Sequence, residues 1–159
     1  MQYWLMKSEP DEFSFDDLEQ RPQQTEPWDG VRNYQARNMM RYTMHLRDRA
    51  FSYHSYCLAP GIAGLPRVAS ESRPDHTAFD PDDKHFDPKS DPEKPRWYLV
   101  DVQFERHLKR VISLRELKAQ ADALQDFPLV RRGNRLSVMP VDAEHWEYIL
   151  GLESQPPGA

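Results

Sequence analysis

The side chains best able to do covalent chemistry stand together near the middle of the chain. His54 is followed by Ser55, and Cys57 comes three positions after the histidine. A nucleophile needs a base positioned beside it. Neighbours on a strand point to opposite faces, so His54 is badly placed to serve Ser55. No GxSxG is present. Six histidines and one cysteine, with no CxxC, HxH or HExxH, leave no metal-ligand pattern, so no metal is expected. Gly61-Ile62-Ala63-Gly64 does not have the spacing of a phosphate-cradling loop, and no nucleotide cofactor is expected. The paired acids of residues 71–95 read as solvated loop charge, because nothing apolar surrounds them to raise a pKa.

What remains is aromatic residues interleaved with polar ones: Lys7-Ser8, Trp28, Asn33-Tyr34, Tyr53-His54-Ser55 and Trp97. Aromatic faces stack on bases, and short polar groups read base edges. Against this stands the plainer reading that a tryptophan in a small domain belongs to the core. Charge is unevenly spread. Residues 31–70 carry six arginines (Arg32, Arg37, Arg41, Arg47, Arg49 and Arg67) against Asp48 alone. A second basic group is Arg106, Lys109, Arg110, Arg131, Arg132 and Arg135. Arginine suits phosphate because its planar fork bonds two oxygens at once. Solvated helix and loop faces compete with that reading.

The elements that must hold these residues are short and mixed. Gln2–Lys7 reads as a buried strand. Ser14 caps a helical turn and Asn33 caps a helix over about 33–45, with Ala36, Met39, Met40 and Met44 on one face. Arg37 and Arg41 lie together on another face of that helix, one turn apart, where they can meet phosphate. Arg49–Ser55 and Gly61–Ser70 read as strands, the second with an edge or bulge at Pro66. Residues 71–95, with five prolines, form an irregular segment anchored by Phe79 and Phe86. Arg96–Leu108 is the clearest strand, and Ser113 caps a helix over about 114–120. Leu136–Val138 is a short strand ended by Pro140, and the last helix runs from Asp142 to Gly151. Strands without regular crossover helices indicate an α+β fold with a partly closed sheet.

The chain has 159 residues, which suits one domain with its own core. It is 38% hydrophobic but 11% aromatic, which argues against disorder. Net charge is −5, so any nucleic-acid contact must be local. A lone cysteine fits a reducing, cytoplasmic setting. No apolar stretch has membrane-spanning length. No internal repeat is evident.

Several stretches have a recognisable order and spacing: YWLMKSEP (3–10), WDGVRNYQARN (28–38), FSYHS (51–55), PGIAG (60–64), HTAFDP (76–81), FDPKS (86–90), PRWYLVDV (95–102) and RLSVMPV (135–141). Together they resemble the EVE domain, over about residues 2–150. The resemblance implies a PUA-like pseudo-barrel spanning 2–152, with short helices around mixed strands; the residues after it, 153–159, read as a disordered tail. It also implies kinship with YTH domains, which hold a methylated adenine in an aromatic cage. The implied function is non-catalytic reading of a modified base by a monomer, with modified cytosine in DNA as leading ligand and RNA as second. Carried over by motif, Lys7 and Ser8 border the pocket, and Trp28 and Trp97 are stacking walls. Asn33, Tyr53, His54 and Ser55 give polar contacts, and Arg32 and Arg135 meet phosphate. Two alternatives compete: an enzyme acting on a nucleoside or RNA base through His54 or Lys7, and an interaction module built on residues 71–95. One departure stands out. Arg47 occupies a place where the family pattern has glycine, so a left-handed turn there would be strained.

Overall fold

The structure, a computed structural model, describes residues 1–157. Six strands form a curled sheet in the order β2-β7-β4-β3-β1-β8. β1 (Tyr3–Ser8) runs parallel to β3 (Arg49–His54), with Lys7 opposite Tyr53 and Ser8 opposite His54. The other neighbours are antiparallel: β8 (Val138–Val141) on β1, β4 (Gly61–Val68) on β3, and β7 (Asp101–Ser113) on both β4 and β2 (Thr25–Pro27). Register shifts at Ser52/Tyr53, Ile62/Gly64 and Leu65/Pro66 mark bulges, which bend the sheet on itself. A separate pair, β5 (Arg73–Pro74) and β6 (Tyr98–Leu99), lies beside it.

β1 is apolar throughout its middle because both of its faces are covered. Leu5, with Phe51 and Tyr53, faces one core, shared with α3 (Leu114–Ala119) and α4 (Ala143–Leu152). There Trp146 stacks on Phe51 at 4.1 Å and on Tyr3 at 4.6 Å. Trp4, Met6 and Ala50 face a second core with α1 (Phe15–Gln20), Trp28 and α2 (Tyr34–Asn38). The caps read from sequence are present. Ser14 forms a reciprocal capping box with Asp17, and Asn33 and Ser113 each accept the amide three residues on.

The structure departs from the sequence reading in six places. The strand read over Arg96–Leu108 is two strands: β6 ends at Leu99 in the small pair, and β7 starts at Asp101 and runs on to Ser113. The helix from Asn33 is α-helical only to Asn38 and widens into a π-type turn over Met39–Thr43, keeping Ala36, Met40 and Met44 buried. Pro140 lies inside β8 rather than ending it, which an edge strand permits. Gly151 is passed by α4, which runs to Leu152. Phe86 is exposed; the segment 71–95 is held instead by buried Asp75, Thr77 and Ala78. Finally, the expected tail begins too early. The buried Glu153 carboxylate accepts from Arg106 at 2.8 Å and from the Lys109 amide, and the Gln155 carbonyl accepts from Arg110. Residues 158–159 lie outside the described residues. Arg47 does adopt the left-handed conformation, φ 76°, its amide donating to the Val68 carbonyl at 2.8 Å.

Candidate functional site

β1 and β3 end side by side, and a cleft of about 920 Å³ opens over their carboxyl ends. Because the two strands separate the two cores, the cleft takes residues from both. Lys7, Ser8, Tyr53 and Ser55 come from the strand ends, and Trp28 to Arg32 from the loop after β2. The floor is pinned by backbone: the Ser55 amide donates to the Ser8 carbonyl at 2.9 Å, and the Lys7 amide to the Ser137 carbonyl at 2.8 Å.

Trp28 is almost covered. Its amide donates to the Val100 carbonyl at 2.8 Å and its ring meets the edge of Phe13 at 6.2 Å, so the indole is fixed as a wall. Across the floor, the Lys7 ammonium stands 5.9 Å from the Tyr53 ring centroid. Burial lowers the Lys7 pKa and pushes the Tyr53 phenol up to about 12, so Tyr53 remains neutral at physiological pH. Two polar groups here have no hydrogen-bonding partner among the described residues. The Ser8 hydroxyl is buried and unbonded. The half-buried Asp29 carboxylate has no hydrogen bond or ion pair among the described residues, and burial, helped by the nearby Asp75 charge, raises its pKa. Buried polar atoms are nearly always paired, so the Ser8 hydroxyl is an opening for a ligand's polar group, and the partly exposed Asp29 carboxylate beside it can accept from a ligand.

The loop carrying Trp28 and Asp29 is clamped by the 71–95 segment. Gly30 has φ +78°, and a Cβ there would lie 2.5 Å from the His85 ring, so only glycine fits. Its amide donates to the Asp75 carboxylate at 2.8 Å. Arg32 donates to the same carboxylate at 3.0 Å, to Thr77 at 3.2 Å and to the His85 carbonyl at 2.7 Å. Lys84 and His85 thereby become part of the cleft lining. At the rim Lys84 pairs with Glu12, and Arg21 with Glu26 at 2.9 Å. Exposed Arg135 is free of hydrogen bonds and ion pairs among the described residues.

Of the residues expected at the site, Lys7, Ser8, Trp28, Tyr53, Ser55, Arg32 and Arg135 converge on this cleft. Asn33, His54 and Trp97 do not. Asn33 spends its side chain on capping α2. His54 faces the second core, where its Nε2 accepts the Phe15 amide at 3.0 Å; burial lowers its pKa, which suits a neutral acceptor ring. Trp97 stacks on Tyr34 at 4.7 Å and donates to Asp87 at 2.7 Å, so it braces α2 against the 71–95 segment. Three of the arginines also differ from expectation. Arg32 lines the cleft but its guanidinium is consumed by the clamp. Arg37 donates to the Arg96 carbonyl at 2.8 Å, and Arg41 covers the Tyr98 ring at 4.2 Å. Asp29, Tyr56, Lys84 and His85 were missed. Asp29 lies inside the WDG stretch and Tyr56 directly follows FSYHS, so both had a signal; Lys84 and His85 reach the cleft by tertiary folding alone. Asp16, Glu19 and His107 place ligand atoms within 4.8 Å of one another, a grouping sequence spacing hides because His107 comes from β7.

The model of the EVE domain family matches residues 2–152. Thymocyte nuclear protein 1 of Rattus norvegicus is 48% identical over 98% of this chain and 75% of its own length. The structure of human THYN1 protein in complex with 5-methylcytosine containing DNA is similar with a TM-score of 0.91 at 45% identity, covering 99% of this chain and 100% of that one. The YTH domain of Zygosaccharomyces rouxii MRB1 protein, in complex with N6-methyladenosine RNA, shares the fold with a TM-score of 0.52 at 13% identity, covering 99% of this chain and 87% of that one. The α+β, PUA-like architecture anticipated from the sequence is the observed one. By family model, sequence and structure alike, the chain belongs to the EVE domain family.

Proposed function

We propose that this chain reads a modified base in nucleic acid without catalysis, taking the base into the cleft beside Trp28. Modified cytosine in DNA is the first ligand and a modified base in RNA the second. The observation that carries the reading is the pairing of a fixed indole wall with two unpartnered polar groups, Ser8 and Asp29, in one cleft. A cytosine edge offers an amine donor beside acceptors. The Asp29 carboxylate suits the amine and the Ser8 hydroxyl suits an acceptor. The likeness to human THYN1, whose structure holds 5-methylcytosine DNA, supports the choice of ligand.

The catalytic alternative loses one of its two candidate bases, since the ring nitrogen of His54 already accepts a backbone amide, and Lys7 is the one left in the cleft. The interaction-module alternative loses its free loop, since residues 75–85 pack on their own domain. The reading takes the chain as a cytoplasmic monomer, with Arg135 as the remaining phosphate contact. Titrating modified and plain oligonucleotides against wild type and Trp28→Ala tests it. Stacking is worth about 1–3 kcal/mol per base, so Trp28→Ala should lose about tenfold or more for the modified strand alone. Equal affinity for every pairing would sink the reading.

A further inference from the structure

Beside the cleft the loop joining β3 to β4 carries the two most solvent-exposed large hydrophobic side chains of the described residues: Tyr56 is 88% exposed and Leu58 107%. A lone exposed leucine is ordinary, but this pair sits on a braced support. The loop begins at Ser55, whose amide is bonded to Ser8 on the cleft floor, and ends at Pro60, whose carbonyl accepts the Leu114 amide at 2.9 Å. Gly61 is pressed so closely on β7 that a Cβ would lie 2.6 Å from the Ile112 carbonyl oxygen. Tyr56 itself is in the left-handed region, φ 51°, which a non-glycine residue adopts only when its surroundings impose it. Ser55, Tyr56 and Pro60 all line the cleft, so Leu58, fully exposed, stands in the loop between lining residues.

We propose that Tyr56 and Leu58 form a wedge that enters a nucleic-acid duplex and fills the gap left by the base drawn into the cleft. The inference rests on the base-reading function and adds the form of the partner: a duplex, opened at one position, rather than a strand already single. A base inside a duplex reaches a pocket only by leaving the stack, which costs unstacking and unpairing energy. Apolar side chains inserted between base steps offset that cost and hold the gap open. The loop meets both needs, being next to the pocket and held at both ends. Leu58 is fully exposed in the free protein, so its burial in the stack takes its whole apolar surface out of water.

The test compares affinity for one modified cytosine placed in a duplex and in the corresponding single strand, for wild type, Leu58→Ser and Leu58→Met. The position is fully exposed, so the three proteins should melt alike. The wedge predicts that Leu58→Ser weakens duplex binding about tenfold, changes single-strand binding less than twofold, and that Leu58→Met restores the duplex affinity. A 2-aminopurine next to the modified base should brighten with wild type and stay quenched with Leu58→Ser. Unchanged duplex binding by Leu58→Ser, or equal weakening on both substrates, overturns the wedge while leaving the reader intact. Failure of wild type to tell modified from plain oligonucleotides in either form overturns both.

Discussion

The Arg32 guanidinium lies 3.0 Å from the Asp75 carboxylate, whose side chain is 0% exposed. That one contact joins the loop behind Trp28 to the acidic, proline-rich segment and explains why a basic residue beside the cleft is not available to phosphate. Arg32 therefore positions the site.

Removing Asp75 should strand its donors. Asp75→Ala leaves Thr77 and the Gly30 amide without their acceptor and the Arg32 charge without its carboxylate, though still bonded to the His85 carbonyl, and breaking such a pair costs about 3 kcal/mol or more. The acid limb of stability should change with it. Burial pushes the Asp75 pKa up, but bonds from Thr77, Gly30 and Arg32 outweigh this and hold it below the ordinary carboxylate value. A depressed folded pKa gives stability that is present above about pH 4 and lost as pH falls through the folded value. Urea midpoints followed from neutral pH to pH 3 should fall less steeply for Asp75→Ala than for wild type.

Trp28 and Trp97 should separate by what their loss does. Trp97→Ala removes a nearly buried ring that stacks on Tyr34 and binds Asp87, and is expected to destabilise the fold by about 3 kcal/mol. Discrimination of modified from plain oligonucleotides should survive below the melting range. Trp28→Ala should do the reverse to discrimination. Loss of discrimination by folded Trp97→Ala would return Trp97 to the pocket.

Asp29→Asn should melt higher than wild type near neutral pH. A raised folded pKa means that the ionised group opposes folding above its unfolded value, and asparagine removes that penalty. The same change should weaken binding, because half of the amide edge donates where the carboxylate only accepts. Wild-type affinity should decline as pH falls through the raised Asp29 pKa, at a pH where an exposed aspartate is still ionised. Asp29→Asn should show no such decline.

Arg47→Gly should stabilise the chain by up to about 1 kcal/mol in urea melts. Arg47 has φ 76°, and the left-handed region costs a side-chain-bearing residue about 1–2 kcal/mol, part of which glycine returns through its freer unfolded state. No effect on oligonucleotide binding is expected, since Arg47 lies outside the cleft.

What the sequence determined by itself was local. Ser14, Asn33 and Ser113 announced their helices because a cap bonds amides two or three residues on. The apolar run of β1 and the prolyl bulge at Pro66 were legible for the same reason, and the EVE stretches supplied the overall fold. Tertiary structure decided which candidates share a site. Tyr53 and His54 are adjacent, yet a strand turns one toward the cleft and the other toward Phe15. Trp28 and Trp97 have equal stacking power, yet the bonds they donate, to the Val100 carbonyl and to the Asp87 carboxylate, made one a wall and the other a brace. The commitment of Arg32 to Asp75, 43 positions away, follows no periodicity in the chain. Such pairings arise only when distant segments are packed together, and that is the information a local pattern of residue types does not carry.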